Sequence, residues 1–171
     1  EDSTIINFCR TCIMIINGSL IVNGLPNKIV ELRGLNSQEW GGIYVFNKGR
    51  GESKLSNIKI INSRNLKKGI LELTGALTFY KTKLIVDNLI MTNINAEDAL
   101  NIIESQFSIN NSGFYNIKSD AIDIDYSDGT IDNLTMKYIG GDGVDLSGST
   151  VDIKNVSTHF IKDKSISIGE K

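Results

Sequence analysis

The 171-residue sequence has little of several residue types: one proline, one tryptophan, one histidine and two cysteines. Its longest uninterrupted apolar run, Cys12 to Ile16, has five residues, whereas a membrane-spanning helix needs about 20. We therefore expect no insertion into a membrane. Apolar residues make up 40% and charged residues 22% of the chain, and this balance excludes a disordered protein.

Isoleucine, asparagine and glycine dominate the composition, with 27, 18 and 16 residues. Isoleucine favours β-strands, while asparagine and glycine tolerate a left-handed backbone at tight bends. This mixture predicts many short strands joined by sharp turns. Alanine and leucine are too few to indicate a helical bundle.

The charges are unevenly distributed along the chain. Residues 1–85 carry 12 Lys and Arg against 6 Asp and Glu, whereas residues 86–171 carry 6 against 14. The second half therefore has a net charge of −8. Nucleic-acid binding depends on basic side chains that contact phosphates, so we expect no nucleic-acid partner there. Cations or neutral polar ligands suit an acidic surface better.

An internal repeat of about 22 residues organises the second half of the chain. One column of asparagines has spacings of 23, 22 and 22 residues, an isoleucine follows each of them six residues later, and an acidic position then precedes an alternating strand. Earlier copies, at Leu55–Leu73 and Gln38–Phe46, are looser, and we expect an insertion around Gly75–Thr82. The asparagines are Asn88, Asn111, Asn133 and Asn155; the isoleucines are Ile94, Ile117, Ile139 and Ile161; the acidic column is Asp98, Asp120 and Asp142, with Lys164 in the fourth copy.

A repeat this short cannot bury its own apolar face, but stacked copies can. The sequence therefore predicts an all-β solenoid, a parallel β-helix of about six coils. We expect one domain over residues 1–171, with an opening turn at 1–26, irregular coils at 27–85 and regular coils at 86–171. We also expect the chain to be part of a longer protein with further flanking domains.

The asparagine column has a structural explanation. Asparagine adopts the left-handed conformation at a tight bend more readily than most residues. Stacked side-chain amides can also hydrogen-bond to one another between coils, which satisfies polar groups that the bend would otherwise bury. We therefore interpret Asn88, Asn111, Asn133 and Asn155 as a structural ladder rather than as ligand-binding residues.

Six phrases between residues 38 and 171 are specific in combination: WGGIYV, TGALTFYKT, AEDALNII, SDAIDIDYSDGTI, GGDGVDLSGS and IKDKSISIGE. Together they resemble right-handed, single-stranded parallel β-helix domains of the pectate-lyase-like superfamily, as found in large secreted bacterial and archaeal proteins. Some of those domains are attached to spore-coat-H-like kinase domains. The resemblance implies a right-handed β-helix and an extracellular or cell-surface location. It does not select a function, because the fold hosts lyases, glycosidases, epimerases, adhesins and passive spacers.

Two acidic columns are the candidate functional site. The first is Asp98, Asp120 and Asp142 at a bend. The second is Asn101, Asp123, Asp145 and Ser167 along the following strand, with Asp123 and Asp145 expected to face outward, and Asp125 is a further candidate ligand beside it. Such oxygens suit Ca²⁺, and the resemblance implies a Ca²⁺ that holds a uronate. Paired carboxylates could instead act as acid and base in glycoside hydrolysis. Equally, bend aspartates accept backbone N–H bonds, and the second column could be a solvated face.

Basic catalytic partners are scarce near these columns, because all four arginines (Arg10, Arg33, Arg50 and Arg64) lie in the first 64 residues.

Among the other candidate groups, Cys9 and Cys12 are expected to be strand cysteines without a chemical role. His159 is expected to pack rather than react, and Phe114 and Phe160 fit core positions. Tyr126 is the best candidate for an exposed, sugar-stacking aromatic residue.

Three hypotheses follow from the sequence. The first is a non-catalytic extracellular scaffold that binds carbohydrate or displays a rigid surface. The second is a polysaccharide-active enzyme, a lyase, epimerase or hydrolase, that uses the acidic face with or without Ca²⁺. The third is an adhesin or filament segment that associates end to end with other chains.

Overall fold

The computed structural model describes residues 3–47, 51–65, 67–69 and 71–169. Within these ranges the chain is all-β, and its helical structure is limited to one 3₁₀ turn at Leu35–Ser37. No helix in this part of the chain is long and apolar enough to cross a membrane. Its seventeen strands are Thr4–Phe8 (β1), Met14–Asn17 (β2), Ile21–Asn23 (β3), Val30–Gly34 (β4), Ile43–Phe46 (β5), Glu52–Ile61 (β6), Lys67–Lys68 (β7), Leu71–Glu72 (β8), Gly75–Tyr80 (β9), Lys83–Ile94 (β10), Asp98–Ile103 (β11), Gln106–Ile117 (β12), Asp120–Asp125 (β13), Asp128–Ile139 (β14), Val144–Ser147 (β15), Thr150–Ile161 (β16) and Ile166–Ile168 (β17).

The strands form two parallel sheets. In the first sheet the order is β1, β4, β6, β10, β12, β14 and β16, with β3 also paired to β6. In the second sheet the order is β2, β5, β9, β11, β13, β15 and β17. The hairpin of β7 and β8 is the antiparallel exception among the named strands. From β10 onward the chain alternates between the sheets, so one long strand and the following short strand make one repeat.

Successive repeats stack in a fixed register. Lys83 pairs with Gln106, Gln106 with Asp128 and Asp128 with Thr150, an advance of 23, 22 and 22 residues. A side chain therefore lies directly above its equivalent in the next repeat, at the spacing of about 4.8 Å between neighbouring strands. This arrangement is compatible with a β-helix-like solenoid.

Both sheets contribute to one hydrophobic core. Along β10 the side chains of Leu84 and Val86 are buried while their neighbours are not, which is the alternation of a strand with one face inward. On the second sheet Ile122 and Ile124 are buried in the same cluster. The ladder of isoleucines predicted from the repeat pairs in register, and three of its members are buried: Ile94, Ile117 and Ile139, followed by the half-buried Ile161.

Left-handed residues form the bend inside each long strand. Their φ angles lie between 50° and 59°, a conformation that asparagine tolerates better than most residues. The amide of Asn88 donates to Oδ1 of Asn57 at 2.8 Å, and that of Asn133 donates to Oδ1 of Asn111, also at 2.8 Å. For two other bend asparagines the acceptor is a carboxylate: Asn111 donates to Asp87, and Asn155 donates to Asp132. The bend residues are Asn57, Asn88, Asn111, Asn133 and Asn155.

The structure corrects the expectation for the two cysteines. Cys9 and Cys12 form a disulfide and lie outside the strands, in the turn between β1 and β2. The backbone N–H of Cys12 donates to the carbonyl of Cys9 at 3.0 Å, and the two Cα atoms lie 5.0 Å apart. This turn brings the side chains within the range that a disulfide bridges.

The position expected for the insertion is also wrong. Gly75–Tyr80 is the regular strand β9, which pairs in register with β5 and β11. The sequence pattern hid it because Gly75 occupies the place that Asp98 takes in the next repeat. The hairpin of β7 and β8, just before β9, is the segment that departs from the parallel pairing of the other described strands.

We expect the bend to depend on two separable properties of Asn133. Asn133→Gly keeps the left-handed backbone accessible but removes the amide bond, so its cost should be about 1 kcal/mol or less. Asn133→Ala loses the bond and also places a Cβ in the left-handed region, so its cost should reach about 2 kcal/mol. Urea unfolding followed by circular dichroism would measure both. A glycine variant no more stable than the alanine variant would contradict this account.

Candidate functional site

The second acidic column lies on the outer face of the second sheet. Along this face the register aligns Tyr44, Thr78, Asn101, Asp123 and Asp145 across five strands. The column changes in character from one end to the other, since Thr78 and Asn101 are buried whereas the two aspartates are half-buried. The outward direction expected for Asp123 and Asp145 agrees with their alternation with buried core residues.

The first acidic column is engaged in hydrogen bonds between repeats. Oδ1 of Asp120 accepts the backbone N–H of Asp142 at 2.7 Å, and Oδ1 of Asp142 accepts the backbone N–H of Lys164 at 2.8 Å. Asp98, at the start of the column, is 3% exposed. Asp120 and Asp142 therefore each accept a backbone N–H at the bend of the following repeat, as bend aspartates commonly do.

Burial and like charges perturb the second column. Burial, reinforced by the negative charges of Asp98, Asp125 and Asp145, raises the pKa of Asp123 to about 8, although Asn101 donates to its Oδ2 at 2.7 Å. Burial is also the main cause that raises the pKa of Asp98 to about 6. Asp123 therefore keeps its proton at neutral pH, which removes one charge from a column of stacked aspartates.

Two buried polar atoms near these columns have no hydrogen-bond partner in the described residues: Oγ1 of Thr78 and Oδ2 of Asp98. Gly75 is the register neighbour of Asp98, and a Cβ there would lie 2.9 Å from the Cβ of Asn101 and would clash with Thr78 Oγ1. A glycine is thus needed for the close packing of this polar region. The burial that this packing imposes accounts for the raised pKa of Asp98.

The aspartates do not converge as a metal centre. In the described parts of the chain, no three His, Cys, Asp or Glu side chains come together in a way that could hold a metal ion. Asp123 stacks on Asp145, whereas Asp125 stacks on Ser147 in a separate row two residues along the strand. A Ca²⁺ ion takes six to eight oxygens, so these residues would have to rearrange or share it with a ligand.

Basic groups are few around the acidic face. Lys164 is exposed, and its Nζ lies 4.0 Å from Oδ1 of Asp142. Arg64 instead donates from Nη2 to the carbonyl of Arg10, in the N-terminal part of the structure. Of the remaining arginines, Arg33 pairs with Glu31, and Arg50 lies outside the described residues.

The aromatic expectations are partly corrected. Phe114 is fully buried, as predicted, but Phe160 is 64% exposed because it occupies a left-handed corner that turns its side chain away from the core. His159 is exposed too and contacts the ring of Phe160 rather than the core. Tyr126 is 72% exposed, in agreement with its selection as an exposed aromatic residue.

Tyr126 lines an open cleft of about 700 Å³ between the end of the second sheet and the start of the first. Lys81 and Glu104 form an ion pair of 3.1 Å along it, while Gln106 and Asp128 add further polar groups. An aromatic ring beside hydrogen-bonding groups is a general feature of polar-ligand sites. We call this cleft the Tyr126 groove.

Three further regular columns were not predicted from the sequence. A second column of left-handed corners follows the asparagine ladder by five residues, and a third contains Lys81, Glu104 and Tyr126. A hydroxyl column also runs through Ser105, Ser127 and Ser149, in which Oγ of each residue accepts a backbone N–H from the preceding repeat. Members of these columns recur at spacings of 22 and 23 residues, so the same periodicity that predicted the asparagine column could also have predicted them.

Searches against protein-family models, curated proteins and solved structures give no match to this chain.

We expect stability to fall as the pH rises through the range in which Asp123 titrates. Its pKa of about 8 in the folded protein exceeds the value of about 3.9 for an unfolded aspartate, so the folded state binds the proton more tightly. The stability from this group is complete below about pH 4 and is lost as the pH rises to about 8.

Asp123→Asn keeps the shape and removes the titration, so it should stabilise the protein by about 1 kcal/mol or more at pH 8 and have little effect at pH 4. Thermal melts of both proteins between pH 4 and pH 9 would measure this. If the melting temperatures of the two proteins changed with pH in the same way, the pKa of Asp123 would not be raised by folding.

Proposed function

We propose that this chain is a non-catalytic extracellular scaffold that binds carbohydrate, built as a right-handed parallel β-helix of about six coils of the pectate-lyase-like kind. The observation that carries the proposal is the engagement of Asp120 and Asp142. These carboxylates accept backbone N–H bonds from the following repeat, so they hold the structure together rather than facing a substrate. A surface of this kind is rigid and repeats every 22 residues.

The architecture supports the β-helix. The chain returns to the same sheet in a neighbouring, parallel position after each passage through the other sheet. Crossovers between parallel strands of one sheet are almost always right-handed, because strand twist favours that direction. Each regular repeat advances by 22 or 23 residues, which is the coil length predicted from the asparagine column.

The disulfide between Cys9 and Cys12 supports a location outside the cytoplasm. Disulfides persist in oxidising surroundings and are reduced in the cytosol of most organisms. This agrees with the extracellular or cell-surface location that the family resemblance implies.

The Tyr126 groove supports a carbohydrate ligand. The exposed ring of Tyr126 offers a flat apolar face. Lys81 offers hydrogen-bond donors, and Glu104 and Asp128 offer acceptors. Sugars present one face rich in C–H groups and a rim of hydroxyls, so they match such a surface. A catalytic group is not required for this role.

A second candidate function, a polysaccharide-active enzyme, is favoured by the proton on Asp123. An aspartate that is protonated at neutral pH, stacked on Asp145 in the adjacent strand, has the state that a general acid needs. The register places the two side chains on neighbouring strands, and a closely spaced pair of carboxyl groups is what retaining glycosidases use. Ca²⁺ bound by this face together with a uronate would be the lyase version of the same hypothesis.

End-to-end association is a third hypothesis. Isoleucines are exposed on strands at both ends of the sheets, among them Ile5 and Ile15 at one end and Ile166 and Ile168 at the other. Exposed apolar edge strands can pair with further chains.

We expect Ca²⁺ to have no effect on the acidic face. Millimolar Ca²⁺ should leave the melting temperature unchanged in the wild type and in Asp123→Asn/Asp145→Asn, since the described part of the chain holds no preformed set of ligands. Calorimetric titration would measure binding directly. Micromolar binding lost in the double variant, or release of unsaturated uronates or reducing ends lost in Asp123→Asn, would favour the enzyme.

We expect Tyr126→Asn to weaken the binding of neutral oligosaccharides by about tenfold or more, because stacking on the ring is lost. Asparagine tolerates the left-handed corner that Tyr126 occupies at φ 48°, so the fold should be retained. Calorimetric titration with cello-, xylo- and malto-oligosaccharides would test this.

Leu25→Asn is the matched control, because it removes an apolar side chain that is 56% exposed and lies in the N-terminal part of the chain. Unchanged binding in Tyr126→Asn, or no binding of any of the three series, would overturn the assignment of the groove.

A further inference from the structure

An aromatic cluster lies on a different corner of the molecule from the Tyr126 groove. In three repeats this corner is an asparagine with φ between 55° and 56°, and in the last two described repeats it is an aromatic residue with φ of 60° and 55°. A left-handed conformation is uncommon for bulky side chains. The corner residues are Asn62, Asn93, Asn116, Tyr138 and Phe160.

The aromatic rings stack on each other and face solvent. The rings of Tyr138 and Phe160 are 5.2 Å apart between centroids, at an interplanar angle of 8°. The ring of His159 lies 4.2 Å from that of Phe160. Tyr138 is 48% exposed and Phe160 is 64% exposed, so the stack contributes little to the core. We call Tyr138, His159 and Phe160 the corner aromatic cluster.

One lysine contacts the corner aromatic cluster, and two others occupy a neighbouring column. Nζ of Lys137 lies 5.0 Å from the centroid of the Tyr138 ring. Lys118 and Lys162 are exposed and occupy one column two residues beyond the corner, where their backbone N–H groups make equivalent bonds between repeats. Among the described residues none of these three lysines has a carboxylate within ion-pair distance, and the nearby Asp163 pairs with Lys164 at 3.2 Å. Lys118 lines a groove together with Glu72 and Glu97, so the cations available to a ligand beside the rings are Lys137 and Lys162.

We infer that this surface binds an anionic polysaccharide. Sugar rings stack on the exposed surfaces of Tyr138 and Phe160, and carboxylate or sulfate groups on the same chain pair with Lys137 and Lys162. An aromatic ring alone would accept a neutral sugar, whereas the unpaired lysines around it select for a charged one. This site is separate from the Tyr126 groove and does not rest on it.

A nucleic acid is the other polyanion with planar rings, and the charge argues against it. Its affinity depends on neutralising many phosphates at once. Two lysines in a half-chain with a net charge of −8 provide few such contacts.

Affinity electrophoresis tests the proposal with four probes: polygalacturonate, its neutral methyl ester, heparin and oligothymidylate. We expect retardation by polygalacturonate or heparin that weakens with added salt, and little by the methyl ester. Preference for polygalacturonate would identify carboxylate as the recognised group, and preference for heparin would identify sulfate. No retardation by either anionic polysaccharide, or stronger retardation by oligothymidylate, overturns the inference.

Tyr138→Asn/Phe160→Asn separates binding from folding, because it installs the residue that the same corner carries in three other repeats. We expect this variant to lose affinity for the anionic polysaccharide by at least about tenfold while its melting temperature is retained or raised. Leu25→Asn, which removes a comparably exposed side chain elsewhere, should bind as the wild type does.

Lys137→Gln leaves the corner backbone unchanged and provides an independent variant should the double variant melt lower. It should reduce both the affinity and its dependence on salt. Wild-type affinity in both variants would show that the corner aromatic cluster is not the site.

Discussion

The fixed register between repeats is the constraint on which the structure depends. Each long strand must bend at the same place, and a left-handed residue makes that bend, with φ between 50° and 59° in the asparagine column. Such a conformation costs most residues roughly 1–2 kcal/mol. Asparagine reduces this cost and adds a hydrogen bond to the repeat before it, as Asn133 does with Asn111. A slip of one residue would break these bonds and turn every core side chain outward.

The same register stacks like charges, and the two acidic columns resolve this in different ways. Two ionised aspartates about 4.8 Å apart repel by roughly 1–3 kcal/mol. In the first column backbone N–H groups compensate, since Asp120 and Asp142 each accept one at 2.7–2.8 Å. In the second column Asp123 retains its proton instead. The accumulation of aspartates on this face is therefore in part a consequence of the repeated sequence. Whether the protein is a scaffold or an enzyme depends on whether the proton of Asp123 takes part in a reaction.

Much of the fold could be predicted from periodicity, because parallel stacking places residues that recur every 22 or 23 positions in the sequence directly above one another in the structure. The isoleucine ladder and the asparagine column were recognised from their spacing. The disulfide and the strand Gly75–Tyr80 were not, since one occurs once and the other has a glycine where the pattern has an aspartate. Phe160 was misplaced for a different reason: hydrophobicity predicts burial, but a left-handed corner reverses the direction of the side chain. The pKa of Asp123 also required the structure, since its burial depends on neighbours from several strands.

The corners are where this architecture can vary its surface at low cost. A core position is constrained by residues above and below it, whereas a corner side chain faces solvent and needs only to tolerate the left-handed backbone. An aromatic residue at such a corner loses stability relative to asparagine, and a stacked neighbour returns about 0.5–1.5 kcal/mol of it. For Tyr138 and Phe160 these terms nearly cancel, so the substitution leaves the register intact while it changes what the surface can contact. Recognition can thus be placed on the corners of a solenoid without a change in the core that holds it together.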